Sequence, residues 1–259
     1  MATYLFIHGA FQGGWVWRKV LLQLQKQGHH VHAPTLSGCG YLFPANYETQ
    51  GLAALGVADH DESNLIFQYL DNDLTTFIRD VANYLVIEEL DEVVLVGHSY
   101  SGMICAALFN QFPHRIRQVI FVDAIIPQSE RSFVDIAGEQ FGQMLAAHRL
   151  GNGLVRPWPM TVFGLAGAEA AWFASRLCPF YYQAFHTPFP GLFDPTIQPA
   201  SFISCRQTAG LFLKKMAEKA REFSWPVYEL ESGHFPMIMC PEALASLLVD
   251  IVEQKEAFR

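Results

Sequence analysis

The run Glu92-Val93-Val94-Leu95-Val96 leads without interruption into Gly97-His98-Ser99-Tyr100-Ser101-Gly102, and this junction constrains the chain more than any other segment. A short apolar run bounded by glycine reads as a strand buried on both faces, the kind found in parallel sheets. The residues that follow, through 112, read as a helix. A sharp strand-to-helix corner pushes the Ser99 hydroxyl out at the carboxyl end of the sheet and leaves the first amides of the helix unpaired beside it. That is the context a G-x-S-x-G nucleophile requires. Here the last glycine of the motif is Ser101, the next-smallest polar choice at a crowded position, with Gly102 immediately behind it. A serine that merely caps a helix would need no chemistry, but the buried strand ahead of Ser99 favours the nucleophile.

The rest of the chain alternates in the same way. Residues 3–8 predict a strand ending in His8-Gly9, residues 15–27 a helix with Val16, Val20, Leu21 and Leu24 at helical spacing, and residues 29–33 a second strand before Pro34. Residues 37–70 carry no sustained period and read as a long excursion. From Asp71 onward, Leu74, Phe77, Ile78, Val81 and Leu85 mark a helix face. Strands are expected at 119–122, 201–205 and 227–230, and a closing helix at 241–252 with Leu244, Leu247, Leu248, Ile251 and Val252 turned inward. Such alternation predicts an α/β architecture, a mostly parallel twisted sheet with helices on both faces. Residues 127–200 break it: Trp158, Phe163, Trp172, Phe173, Phe180, Tyr181, Tyr182, Phe185, Phe189 and Phe193 stand between two strands of the sheet. The segment is expected to be an inserted aromatic-rich cap, leaving 1–126 and 201–259 as the core domain.

Bulk properties exclude several functions. Apolar residues make up 51% of the 259 and charged residues 16%, so disorder and a coiled coil are both excluded. Acidic residues outnumber basic ones 25 to 17 with no cationic cluster, which leaves nothing to hold nucleic acid. No apolar stretch approaches the ~20 residues needed to span a bilayer, and the chain enters its first apolar run without a cationic leader. A cytoplasmic protein acting on a small molecule is expected; a homodimer stays open. Cys39, Cys105, Cys178, Cys205 and Cys240 are scattered, odd in number and without a C-x-x-C pair, so reduced buried thiols are expected and no metal or cofactor is implied.

Two further segments complete a reactive set. His8-Gly9-Ala10-Phe11 follows the first strand, where a glycine turn can aim the Ala10 amide at the end of the neighbouring strand. Ser232-Gly233-His234-Phe235-Pro236 follows the last strand, and a general base must reach Ser99 from a loop at that same edge. The other histidines are worse placed: His29, His30 and His32 lie in or beside a strand, His98 belongs behind the Ser99 corner, and His60, His114, His148 and His186 lack a partner signal. Tyr100, first after the nucleophile, offers the second amide for an oxyanion.

Taken together, His8-Gly9-Ala10-Phe11 with Gly13-Gly14-Trp15-Val16-Trp17, then Gly97-His98-Ser99-Tyr100, then Gly233-His234-Phe235-Pro236, resemble the small α/β-hydrolases that include plant methylesterases, hydroxynitrile lyases and bacterial esterases such as pyrethroid hydrolases. The likeness covers 3–36, 71–127 and the chain from about 201 onward, and is poor in 37–70 and in the cap. It implies an α/β-hydrolase fold with Ser99 as nucleophile, His234 as base, and Ala10 and Tyr100 as oxyanion-hole amides.

The sequence departs from that pattern at the acid. The resemblance places an aspartate after the strand at 201–205, where this chain reads Cys205-Arg206-Gln207-Thr208-Ala209-Gly210. Thr208 stands at the expected position, and a hydroxyl cannot supply the charge that stabilises an imidazolium. Asp123, at the end of the preceding strand, is the first candidate; a structural Asp-Ala pair at that point, or a dyad without an acid, stays open. Glu229 and Glu231 read as solvent-facing strand-end residues, and Asp194 before Pro195 as a turn former. The expected reaction is hydrolysis of a carboxylic ester or thioester of a largely apolar substrate through an acyl-enzyme. Acyl transfer or cyclisation on the same fold remains open, as does a small-molecule binder on a decayed scaffold. Cyanohydrin cleavage is disfavoured, because the resemblance implies a lysine beside the base and the neighbours here are Phe235 and Pro236.

Overall fold

The computed structural model describes residues 1–43, 72–150, 153–197 and 199–256. Most of the long excursion expected at 37–70 lies outside them, as does His60.

From the N-terminus, β1 (Thr3–Ile7) passes through a 3-10 turn at Gly14–Trp17 into α1 (Arg18–Lys26) and β2 (His30–His32). Then come α2 (Leu74–Ile87), β3 (Val93–His98), a 3-10 turn at Ser99–Ser101, α3 (Gly102–Gln111) and β4 (Ile116–Val122). The stretch up to the next long strand holds α4 (Phe133–Ala137), α5 (Glu139–Ala147), β5 (Leu154–Val155), α6 (Gly167–Ala174), β6 (Phe180–Tyr181) and α7 (Tyr182–His186). The chain closes with β7 (Ala200–Cys205), α8 (Leu211–Glu222), β8 (Val227–Leu230), α9 (Pro236–Met239) and α10 (Pro241–Glu256).

Six strands form one sheet in the order β2-β1-β3-β4-β7-β8, and every pairing is parallel. Strand alternation sends side chains to two cores. Tyr4, Phe6, Val94, Val96, Ile120 and Val122 pack with Val20, Leu24, Leu244 and Leu248 of α1 and α10. Leu5, Ile7, Leu95, Val119 and Phe121 pack on the other face with α2, α3 and α8. β3 is buried at all six residues, as its apolar run requires. The helical stripe Leu74, Phe77, Ile78, Val81 and Leu85 is buried, and Asp73 starts α2 by accepting the Thr76 amide at 2.8 Å. α8 has no counterpart in the sequence reading. Its inner face is Leu213, Met216, Ala217 and Ala220, half of it alanine, which blurs the apolar stripe.

The sequence of strands reverses direction at β1 and β3, neighbours in space that lead outward to opposite edges. A crevice opens at the carboxyl ends of such a pair. The turns carrying Ala10 and Ser99 both start there. The described residues between 127 and 199 add no strand to this sheet, and Ala200, expected as the last residue of the insertion, is the first of β7; β5 and β6 pair antiparallel with each other, and a Ser132–Asp135 capping box opens α4. Trp158, Phe173, Phe180, Tyr181, Phe185 and Phe189 are buried, whereas Trp172 is exposed. Among the described residues no helix is long and apolar enough to cross a membrane.

Close backbone approach fixes α3 against the exit of β4. A Cβ at Gly102 would lie 2.0 Å from the Ile125 carbonyl oxygen, which is backbone and cannot swing away. Gly102→Ala is expected to destabilise the fold by about 3 kcal/mol through overpacking, read as a lowered urea midpoint. An unchanged midpoint would mean that the loop after β4 shifts freely.

Candidate active site

Ser99 leaves β3 with φ 56°, a left-handed conformation that L residues adopt only when their surroundings impose it. Three contacts impose it here. The Ser99 carbonyl accepts the Ile125 amide at 3.1 Å. Ser101, the residue that departs from the glycine motif, donates its hydroxyl to the carbonyls of Ile7 and His98, each at 2.9 Å, and so pins the ends of β1 and β3 together. Gly9 and Gly97 leave room for this: a Cβ at Gly9 would meet the Ser99 Cβ at 3.0 Å, and one at Gly97 would meet the Cys105 sulfur at 2.6 Å.

His234 stands in the loop between β8 and α9, 5% exposed, with Nε2 3.1 Å from Ser99 Oγ and Nδ1 2.7 Å from Asp123 Oδ2. A carboxylate accepts only, so Nδ1 carries the proton and Nε2 presents a lone pair to the serine hydroxyl. His98 is packed against His234, with Nε2 2.7 Å from the His234 carbonyl oxygen, and so holds the His234 backbone. Burial keeps His98 well below the usual imidazole range, hence neutral and donating through Nε2. Phe163, from the segment between β4 and β7, stacks on the His234 ring with centroids 5.5 Å apart and planes at 21°.

Asp123 follows β4 directly, 2% exposed and with φ 45°. Its amide donates to the Ile203 carbonyl at 2.8 Å, tying it to β7. Its Oδ1 takes the Cys205 amide at 3.4 Å, and its Oδ2 takes both His234 Nδ1–H and the Thr208 hydroxyl, the latter at 2.6 Å. Thr208, which stands where the resemblance expects an aspartate, is therefore a hydrogen-bond donor to Asp123. Sequence reading missed that contact, because it joins residues far apart along the chain, and missed the Phe163 stacking for the same reason. The competing carboxylates lie elsewhere: Glu229 and Glu231 meet Arg206 at the surface at 3.8 and 2.8 Å, and Asp194 accepts from Thr196 in a turn.

Ser99 and His234 line a cavity of about 890 Å³ together with Ala10, Phe11 and Tyr100. The rings of Phe133, Phe141, Trp158 and Phe185 also line it, as do the charged residues Lys214, Lys215, Glu139 and Glu218. The Tyr100 amide lies in the first turn after β3, where helical amides have no acceptor within the turn. Phe11, at φ 69°, turns the chain after Ala10. All five cysteines are free thiols, and no group of histidine, cysteine or carboxylate side chains able to hold a metal ion occurs among the described residues.

Behind the site, His8 is fully buried, accepts the Leu36 amide at Nε2 (3.1 Å), and lies with Nδ1 2.8 Å from the Gly9 carbonyl oxygen. Burial pulls its pKa from 6.5 down to about 4. The unfolded chain takes up this proton near pH 6.5 while the folded one refuses it until about pH 4, so the stability from this group is whole above 6.5 and lost between 6.5 and 4. The loss amounts to about 3 kcal/mol, at 1.36 kcal/mol per pKa unit. Urea midpoints measured across that range should fall less steeply in His8→Gln, which keeps an acceptor for Leu36; parallel slopes would contradict the account.

A family model described as the alpha/beta hydrolase family matches residues 4–247. A carbendazim hydrolyzing esterase of Nocardioides sp. (strain SG-4G) is 28% identical over 198 residues, 73% of each chain. Methylesterase 8 of Arabidopsis thaliana is 29% identical over 129 residues, 50% of this chain but only 40% of that protein's length. Among solved structures, an extracellular alpha/beta-hydrolase from a Paenibacillus species superimposes with a TM-score of 0.78 at 18% identity, covering 96% of this chain and 98% of that one. A pyrethroid hydrolase superimposes with a TM-score of 0.70 at 20% identity, covering 99% of both. At such identities these two likenesses concern the fold.

Proposed function

Because this chain belongs to the alpha/beta hydrolase family, we propose that it hydrolyses carboxylic esters or thioesters of small, largely apolar molecules through an acyl-enzyme. The observation that carries this reading is the unbroken line of hydrogen bonds from Ser99 Oγ through His234 to Asp123, 3.1 and 2.7 Å long, with Ser99 and His234 lining a cavity. Serine alcohols are weak nucleophiles until an adjacent base takes the proton. As Ser99 Oγ attacks the acyl carbon, its proton passes to His234 Nε2, and Asp123 steadies the imidazolium through Nδ1–H. The carbonyl oxygen, now negative, takes hydrogen bonds from the Ala10 and Tyr100 amides; losing one such donor costs about 10²- to 10³-fold. His234 then gives the proton to the departing alkoxide or thiolate as its bond to the acyl carbon breaks, and the alcohol or thiol leaves. Water enters, loses a proton to His234, attacks the acyl carbon, and Ser99 is released with its proton restored.

The cavity rings suit an apolar acyl or aryl group, since aromatic side chains bury rings and exclude water. Residues 127–200 act in this reading as a lid that supplies Trp158, Phe141, Phe185 and Phe163 to the substrate. Esterase names among the relatives, carbendazim hydrolyzing esterase and methylesterase, agree with the reaction class. A fluorophosphonate probe tests the proposal. Covalent labelling at Ser99, together with turnover within a panel of esters, is expected; a folded protein that does not label would instead be a binder.

A further inference from the structure

Thr208 occupies a place that neither a solvent contact nor a backbone role explains. It is 4% exposed, beside the cavity, and its hydroxyl donates at 2.6 Å to the Asp123 oxygen that also receives His234 Nδ1–H. We propose that Thr208 is a positioning residue, whose hydroxyl holds Asp123 Oδ2 in line with His234 while Asp123 supplies the charge. The inference rests on the assignment of Asp123 as the acid.

The argument is one of degrees of freedom. Asp123 has its backbone fixed by the Ile203 carbonyl, but its carboxylate can still turn about the last side-chain torsion, which is broad for aspartate. Two donors besides the imidazole stop that rotation, the Cys205 amide on Oδ1 at 3.4 Å and the Thr208 hydroxyl on Oδ2 at 2.6 Å. The amide contact is long; the hydroxyl contact is short and charge-assisted, so it dominates. Thr208 can serve because its own backbone is set without its side chain. Its amide donates to the Cys205 carbonyl at 3.1 Å, while Arg206 and Gln207 donate to the Leu230 and Ser232 carbonyls, both at 3.0 Å. The loop after β7 is thereby sewn to the strand and loop that deliver His234. One oxygen of the acid is consequently referenced to two strands, β4 through its own backbone and β7 through Thr208.

A structural hydroxyl and a positioning one predict different kinetics. Thr208→Val keeps shape and backbone hydrogen bonds but leaves Oδ2 with the imidazole as its one donor. Removing such a supporting partner is expected to lower kcat on a short p-nitrophenyl ester about 10- to 100-fold, with KM changed less than about threefold because no substrate contact is lost. Thr208→Ser, which restores the hydroxyl, should return kcat to within about threefold of the parent. The downfield proton resonance of His234 Nδ1–H should shift or broaden in the valine variant and recover in the serine one. If Thr208→Val does not fold by circular dichroism, Thr208→Ala is read in its place. Valine or alanine activity within about twofold of the parent, or serine failing to rescue, overturns the inference. Fluorophosphonate labelling of the parent at Ser99 separates this from the parent reading: a labelled parent with an indifferent Thr208→Val sinks the positioning role alone, and an unlabelled parent sinks both.

Discussion

Ser99→Ala is expected to lower turnover by roughly 10⁶-fold, the scale on which removing the nucleophile of a serine hydrolase falls, while the urea midpoint stays near that of the parent. The side-chain hydroxyl is hydrogen-bonded to His234 Nε2 at 3.1 Å, so little folding free energy is at stake in it. The corner itself is held by groups the substitution leaves alone: the Ser99 carbonyl on the Ile125 amide, and the Ser101 hydroxyl on the carbonyls of Ile7 and His98. Alanine must still accept φ 56°, a strain serine also carries. Active-site titration with a fluorophosphonate and steady-state turnover on the same ester check the two halves separately. Turnover within tenfold of the parent would remove Ser99 from the mechanism, and a collapsed midpoint would show the hydroxyl to be structural.

Asp123→Asn should cost at least a hundredfold, and as much as about 10⁴-fold if the serine-protease precedent transfers. The reason is local. Asp123 Oδ2 now accepts two hydrogen bonds, from His234 Nδ1 and Thr208 Oγ1. An amide nitrogen at that point would face the imidazole donor to donor, and the ring escapes by moving its proton to Nε2, where it can no longer take one from Ser99. The opposite amide orientation places the nitrogen against the Cys205 amide, another donor, and surrenders the charge in either case. Turnover of the variant against a short ester, with the His234 ring tautomer read by nitrogen NMR, gives the decision. Near-normal rates would pass the acid's role to another carboxylate or to none. Glu229 and Glu231 are poor heirs, since both are turned toward Arg206 at the surface.

How much of this was legible beforehand differs by residue. Alternating strand and helix patterns are short-range properties, and the order of elements in the sheet's core follows them from Thr3 to Glu256. So do the places of Ser99, directly past the apolar run of β3, and of His234, beside Gly233 in the loop after β8. α8 escaped because alanines stand where larger side chains would mark its buried face. Ser101 looked like a tolerated departure from glycine and proves to be a hydrogen-bonding clasp between two strands. Thr208 looked like the gap left by a missing acid and is hydrogen-bonded to Asp123.

Local sequence was therefore sufficient for the α/β alternation and the strand-to-helix corner at Ser99, because periodicity, turn residues and glycine act over a few positions along the chain. Which carboxylate meets His234, and with what support, was decided by tertiary structure alone: Asp123 and Thr208 are 85 residues apart and meet only because β4 and β7 are neighbours in the sheet. Hydrogen bonding depends on distance in space, and strand order, which no short-range pattern encodes, sets that distance.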